Sequence, residues 1–133
     1  EMLRSLVGSE MCIRDSSHVE CYVPGPDEQG VVLDVGGTVV AHVHGHTIRP
    51  GKHFEWWAGQ AFGGQDIGQA TVLLQGHMHH FQVSEDGQRK WICAPAVEKT
   101  SKWWEHKTGT SGSPGLLSFG LKDGQISNLT KHE

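Results

Sequence analysis

The sequence lacks any apolar run long enough to cross a bilayer, because polar or charged residues interrupt every hydrophobic segment. It also lacks a basic excess: 11 Lys and Arg against 15 Asp and Glu give a net charge of -4, which does not favour a broad nucleic-acid-binding face. Neither a G-x-S-x-G elbow nor a phosphate-cradling P-loop occurs. We therefore expect no membrane association, no serine-hydrolase chemistry and no P-loop nucleotide binding.

Cysteine is scarce as well. The three cysteines, Cys12, Cys21 and Cys93, are odd in number and widely spaced. This spacing argues against a disulfide framework and favours a reducing compartment. We therefore expect a cytoplasmic protein.

Short β-branched and apolar segments separated by glycine-rich turns predict a strand-rich α/β or α+β unit. Gly36-Gly37, Glu85-Asp86-Gly87 and Lys122-Asp123-Gly124 are each typical of a hairpin turn. A helix is predicted over Lys52 to Ala61 and a long loop with an aromatic anchor over Lys99 to Ser113. The strands are predicted at Gly30 to Val35, Thr38 to His44, Ala70 to Leu74, Phe81 to Val83, Arg89 to Ala94, Gly115 to Leu121 and Gln125 to Leu129.

Histidine, by contrast, is abundant, with ten in 133 residues. Two clusters follow predicted strands directly: His42-Val43-His44-Gly45-His46 and Gly76-His77-Met78-His79-His80. Neutral imidazole is a common ligand of divalent metals, and the ends of neighbouring strands bring distant residues together. A single histidine on a strand is usually a packing or surface residue, but two clusters beside glycine indicate a metal site.

The pattern of strand, H-G-H, strand and G-H-x-H resembles the calcineurin-like metallophosphoesterases. The resemblance runs from about Val31 to the C-terminus. The longer context of residues 44–64, 91–104 and 113–119 is similar to phosphoesterases carried by bacteriophages. It implies the C-terminal half of a four-layer α/β/β/α sandwich. It also implies a site for two divalent ions (Mn, Fe or Zn) that hydrolyses phosphomonoesters or phosphodiesters, including nucleotides or nucleic acid.

The resemblance also implies residue roles. His44 and His77 would bind one metal and His79 the other. Apart from the resemblance, His46 and His80 are candidates to orient these ligands by hydrogen bonding, although a single histidine of this kind is more often an ordinary packing or surface residue. The family's D-x-H, G-D and G-N-H motifs, which carry the other ligands and the general-acid histidine, do not occur in this sequence. We therefore expect the intact enzyme to need an N-terminal half of the same domain, and this chain to have little or no activity.

The first sixteen residues, Glu1 to Ser16, have neither helical nor strand periodicity. Their run SLVGSEMCIRDS resembles a translated sequencing-adapter read-through, and the alternative is an ordinary disordered terminus. Residues 1–16 are therefore interpreted as non-native or disordered, and residues 17–133 as a partial metallophosphoesterase domain.

Four of the tryptophans form two pairs, Trp56-Trp57 and Trp103-Trp104. Trp57 and one of the second pair are expected to pack in the core. The alternative is a stacking wall for a substrate base, with Trp103 and Lys102 as the substrate-binding candidates.

Two other classes of protein stay open at this point. A cupin-type barrel with one metal fits Gly36, His42 and His44, but its next ligand would fall at Ile48 or Arg49. A non-catalytic histidine-rich module would bind metal weakly and without fixed stoichiometry.

Overall fold

A mixed five-stranded sheet forms the centre of the molecule. The computed structural model describes residues 18–99, 102–109 and 112–133. The elements are β1 (Gly30–Val35), β2 (Thr38–Val43), α1 (His53–Phe62), a 3-10 helix (Asp66–Gln69), β3 (Val72–Gln75), β4 (Gln82–Asp86), β5 (Arg89–Cys93), α2 (Lys102–Thr108), β6 (Leu116–Lys122) and β7 (Gln125–His132). The spatial order in the sheet is β1-β2-β3-β5-β4, and β6 and β7 form a separate hairpin.

The three central strands β2, β3 and β5 run parallel, while β1 and β4 pair antiparallel at the two sides. The β1–β2 hairpin turns through Gly36 and Gly37, both with positive φ (58° and 87°), the geometry that a two-residue turn requires. β3 is covered on both faces, as parallel strands usually are.

Alternating side chains of the central strands fill two separate cores. On one face, Ala41, Leu73 and Trp91 pack with Trp57 of α1, whose Nε1 donates a hydrogen bond to the carbonyl of Ile67 (2.9 Å). On the other face, Val40, Val72 and Ile92 pack against the leucines and the isoleucine of β6 and β7. The result is three layers: helix, sheet and hairpin.

The predicted hairpins and the first helix are confirmed, with ends shifted by a few residues. The long loop predicted over Lys99 to Ser113 is wrong, because residues 102–108 form α2. This segment contains no glycine or proline until Gly109, whose φ of 68° is typical of the residue after a helix end. Trp103 is 64% exposed and does not anchor the segment, and the side chain of Trp104 lies outside the described residues.

The predicted strand-rich α/β fold class is confirmed. The cupin alternative is wrong, since a cupin is a double-sheet jelly roll and this sheet has a parallel centre.

The prediction for residues 1–16 falls outside the described part of the chain. In that part, no helix is long and apolar enough to cross a membrane, and Cys21 and Cys93 are free thiols.

Candidate metal centre

The two histidine clusters leave the sheet at the same level. Val43 and Gln75 are register partners at the carboxyl ends of the parallel strands β2 and β3. The N–H of Gly76 also donates to the carbonyl of Val43 (3.2 Å). The residues that follow, His44 and His77, therefore start from one edge of the sheet, where the ends of parallel strands commonly form ligand sites.

His44 and His77 contact each other directly. Nε2 of His44 lies 3.1 Å from Nδ1 of His77, and the two rings meet edge to face with centroids 4.9 Å apart. The ring of His46 lies 5.4 Å from that of His44. All three side chains are exposed to solvent. The two residues predicted to share one metal are thus brought together across 33 positions of sequence.

We call residues 44–46 the HGH loop. Its turn is made by Gly45, with φ 95°, and the Gly45 carbonyl accepts a hydrogen bond from the N–H of Ile48 (3.1 Å). A Cβ built on Gly45 would lie 2.6 Å from Cδ and Nε2 of Gln75. Gly45 is therefore required twice, for its φ and for its close approach to Gln75.

We call residues 76–80 the GHMHH loop. Here two histidines have positive φ: 68° at His77 and 59° at His79. The N–H of Met78 donates to the carbonyl of Gly76 (2.8 Å), so His77 is the central residue of a γ-turn with positive φ, a rare and strained conformation. Backbone strain of this kind concentrates at functional sites.

The thiol of Cys93 supports the GHMHH loop from below. Cys93 is fully buried, and its Sγ lies 3.8 Å from the carbonyl oxygen of Gly76. Burial raises the pKa of this thiol, while hydrogen bonds from the backbone N–H groups of His80 and Met78 act in the opposite direction. The loop therefore curls around a neutral sulfur atom at the end of β5.

The clustered imidazoles favour the neutral state. The pKa of His44 is lowered first by burial and then by the neighbouring His77, His46 and His79. That of His42 is lowered by burial and by His44. A metal ligand must offer a deprotonated nitrogen, so a lowered pKa reduces the competition from protons.

The pair fits one metal ion by distance. Two nitrogens 3.1 Å apart, each about 2.0–2.1 Å from a zinc ion, would subtend roughly 100° at that ion, between octahedral and tetrahedral angles. In the described residues, however, no group of three or more His, Cys, Asp or Glu side chains is arranged to hold a metal. His79 lies close enough to affect the pKa of His44, and its role as a ligand stays a prediction.

The other predicted site residues are placed less directly. His80 is partly buried, and a Cβ built on Gly112 would overlap the carbonyl of His79 and come within 3.6 Å of Nδ1 of His80. Lys102 and Trp103 lie exposed on α2, where Nζ of Lys107 sits 4.8 Å from the Trp103 ring centroid. The substrate-binding role of Lys102 and Trp103 is not tested by these contacts.

Sequence reasoning missed two supporting residues, Gln75 and Cys93. Gln75 is a buried polar residue that ends an apolar strand directly before Gly76, and this position was the available signal. The sequence around Cys93 does not indicate its role, because only the folded chain shows that β5 ends next to the GHMHH loop.

Comparison with known proteins identifies the fold. No protein-family model and no curated protein matches the chain. Among solved structures, Vps29 of Entamoeba histolytica in complex with Zn²⁺ matches with a TM-score of 0.56 and 16% identity, covering 78% of this chain and 53% of that protein. Vps29 of Cryptosporidium parvum matches with a TM-score of 0.51 and 16% identity over 94% of this chain and 74% of that protein. Vps29 of Chaetomium thermophilum matches with a TM-score of 0.52 and 13% identity over 78% and 58%.

The chain therefore has a mixed, strand-rich α/β fold that matches the metallophosphoesterase-like fold of these Vps29 structures over the part that it covers. It spans about half the length of the Entamoeba protein. At such low identity the likeness concerns the fold alone.

Proposed function

We propose that the intact protein is a metal-dependent phosphoester hydrolase, to which this chain contributes the ligands His44, His77 and His79. The observation that carries the proposal is the 3.1 Å contact between His44 and His77 at the ends of two parallel strands. The metallophosphoesterase fold supports it, as does the zinc ion in the Entamoeba Vps29 structure.

The site is proposed to take two divalent ions, Mn, Fe or Zn. When bound, such ions polarise a phosphoryl oxygen and supply a hydroxide nucleophile at neutral pH. The residues of this chain offer imidazole nitrogens to them, and partial desolvation together with the neighbouring histidines lowers the pKa of His44, which favours the neutral form. His46 and His80 would orient the ligands, and Lys102 and Trp103 would contact the phosphate or a base of the substrate.

Substrate and partner follow from the same proposal. The substrate is a phosphomonoester or phosphodiester, with nucleic acid, a nucleotide and a phosphoprotein as the candidates, and the protein is a cytoplasmic one of phage type. The carboxylate ligands and the general-acid histidine would come from an N-terminal half of the same domain. This chain alone should then bind metal and hydrolyse little or nothing.

Cobalt titration of the full 133-residue chain tests the proposal. Co²⁺ replaces other divalent ions, and its visible absorption reports histidine coordination. We expect saturable binding that His44→Ala and His77→Ala each weaken at least tenfold, with His106→Ala on the exposed face of α2 as the matched control. Equal binding by all four proteins would contradict the proposed ligands.

A hydrolysis assay tests the expected inactivity. With bis(p-nitrophenyl) phosphate and Mn²⁺, the purified chain should release no more nitrophenolate than its His77→Ala variant. Turnover that disappears only in the variant would show that the chain is already an enzyme. Weak, non-saturating cobalt uptake without turnover would instead favour the non-catalytic histidine-rich module.

A further inference from the structure

Gln75 is a buried polar side chain at the carboxyl end of β3, next to Gly45 of the HGH loop. It is 1% exposed, and its Oε1 accepts a hydrogen bond from Nε1 of Trp91 (2.9 Å). Because an indole N–H can only donate, this bond fixes which end of the amide faces Trp91. Nε2 then faces away, and it has no hydrogen-bond partner among the described residues.

The amide end of Gln75 supports the HGH loop. Its Cγ, Cδ and Nε2 occupy the space that a side chain at Gly45 would need, so Gly45 packs closely against the Gln75 side chain. Gly45 is the residue between His44 and His46. We therefore expect a change in the Gln75 side chain to shift the HGH loop relative to the sheet.

The backbone of Gln75 also determines the start of the GHMHH loop. Gln75 is the last residue of β3, and His77 follows after one glycine. One residue thus contacts the loop that carries His44 and directly precedes the loop that carries His77. Gln75 therefore adjoins both loops whose imidazoles lie 3.1 Å apart.

We infer that Gln75, held by Trp91, is a positioning residue that sets the spacing of His44 and His77. The inference about metal binding rests on the proposed function, whereas the inference about loop geometry does not. Trp91 in turn stacks on His53 (3.7 Å between centroids, 7° between planes), the first residue of α1. The helix layer is thereby linked to the histidine loops through two side chains.

Two variants test this role. Gln75→Met keeps the length of the side chain and removes the amide. Trp91→Phe keeps an aromatic ring in the core and removes the donor that orients the amide. Gln82→Met, at an exposed position at the start of β4, is the matched control for the first change.

The first readout needs no metal. The N–H of Ile48 donates to the carbonyl of Gly45, so its hydrogen exchange reports whether the HGH loop keeps its place. We expect exchange at Ile48 to be at least tenfold faster in Gln75→Met and faster by a smaller factor in Trp91→Phe. Amides of β6 and β7, on the opposite face, should exchange at the wild-type rate if the fold is intact.

The second readout is the cobalt dissociation constant together with the visible spectrum. Residues that orient metal ligands typically change affinity by about 10–100-fold when replaced. We expect a loss in this range and an altered spectrum for Gln75→Met, a smaller loss for Trp91→Phe and none for Gln82→Met.

The outcomes separate the two proposals. Wild-type exchange and affinity in a folded Gln75→Met protein would overturn the positioning role, and so would an unchanged Trp91→Phe protein if Gln75→Met does not fold. If the wild-type chain binds no cobalt but exchange at Ile48 still accelerates in the variants, the proposed function fails while the positioning of the loop stands.

Discussion

The HGH loop and the GHMHH loop reach the same point by different means. Each contributes an imidazole to the 3.1 Å pair, and each leaves a parallel strand of the same sheet. In the HGH loop the positive φ falls on a glycine, Gly45. In the GHMHH loop it falls on the histidines themselves, His77 and His79.

This difference shows where each loop gets its shape. Glycine adopts a positive φ at no steric cost, so the HGH loop is compatible with its own sequence. A non-glycine residue there costs about 1–3 kcal/mol and needs support from its surroundings. The GHMHH loop has that support in the buried sulfur of Cys93 below it.

The largest effect is expected from Gly45→Ala. The new methyl group would meet Gln75 and would impose a strained φ, so we expect the free energy of unfolding to fall by about 3 kcal/mol, the sum of an overpacking and a backbone cost. Urea unfolding followed by tryptophan fluorescence measures this change.

Gly36→Ala is the matched control for that substitution. Gly36 also has positive φ, but nothing lies within 4 Å of a Cβ built there. The free energy of unfolding of Gly36→Ala should therefore fall only by the cost of the strained backbone, about 1 kcal/mol. Equal losses in the two variants would mean that contact with Gln75 does not constrain the HGH loop.

Cys93→Ala removes the support of the other loop. The loss of a buried sulfur and its contacts with the backbone of Gly76, Met78 and His80 should lower the free energy of unfolding by about 1–2 kcal/mol. Thermal unfolding monitored by circular dichroism measures it. Cys21→Ala, at an exposed position, should leave the midpoint unchanged, and a drop of the same size there would argue against a specific role for Cys93.

The contrast between the loops also explains what could be predicted from sequence. The glycine turns and β-branched runs determine local structure, so the hairpins were predictable. The meeting of the two histidine clusters followed from their positions at strand ends, whereas the specific pair of His44 and His77 was implied by the family resemblance. The supports Gln75 and Cys93 depend on contacts between distant residues, and α2 was missed because polarity alone was taken to indicate a loop.

His77→Gly should separate stability from metal binding. Glycine relieves the strained φ at this position, so we expect the free energy of unfolding to stay equal or rise by up to about 1 kcal/mol. Cobalt affinity should nevertheless fall at least tenfold, because one imidazole of the pair is lost.

Asn128→Gly is the control for His77→Gly. Asn128 has a φ of 52° on β7, in the hairpin layer. Its replacement should give a similar small gain in stability with unchanged cobalt affinity. A large loss of stability in His77→Gly would show that the imidazole contributes more to folding than its backbone costs.

The smallest effect is expected in the pH dependence of stability, and it comes from His53 at the start of α1. Burial against Trp91 lowers the pKa of His53 below its ordinary value of 6.5. Well above pH 6.5 the imidazole is neutral in both the folded and the unfolded chain, so its titration does not change the free energy of unfolding there. As the pH falls through 6.5 the unfolded chain takes up the proton first, and stability decreases.

His53→Phe keeps an aromatic ring against Trp91 and removes this titration. The variant should therefore lose less stability than the wild type between pH 7 and pH 5, measured by urea unfolding at each pH. The same pair at pH 8 is the control, since imidazole is neutral there and the difference between the two proteins should be independent of pH. Parallel stability curves down to pH 5 would show that His53 is not shielded by its stack on Trp91, and would weaken the link between α1 and the HGH loop.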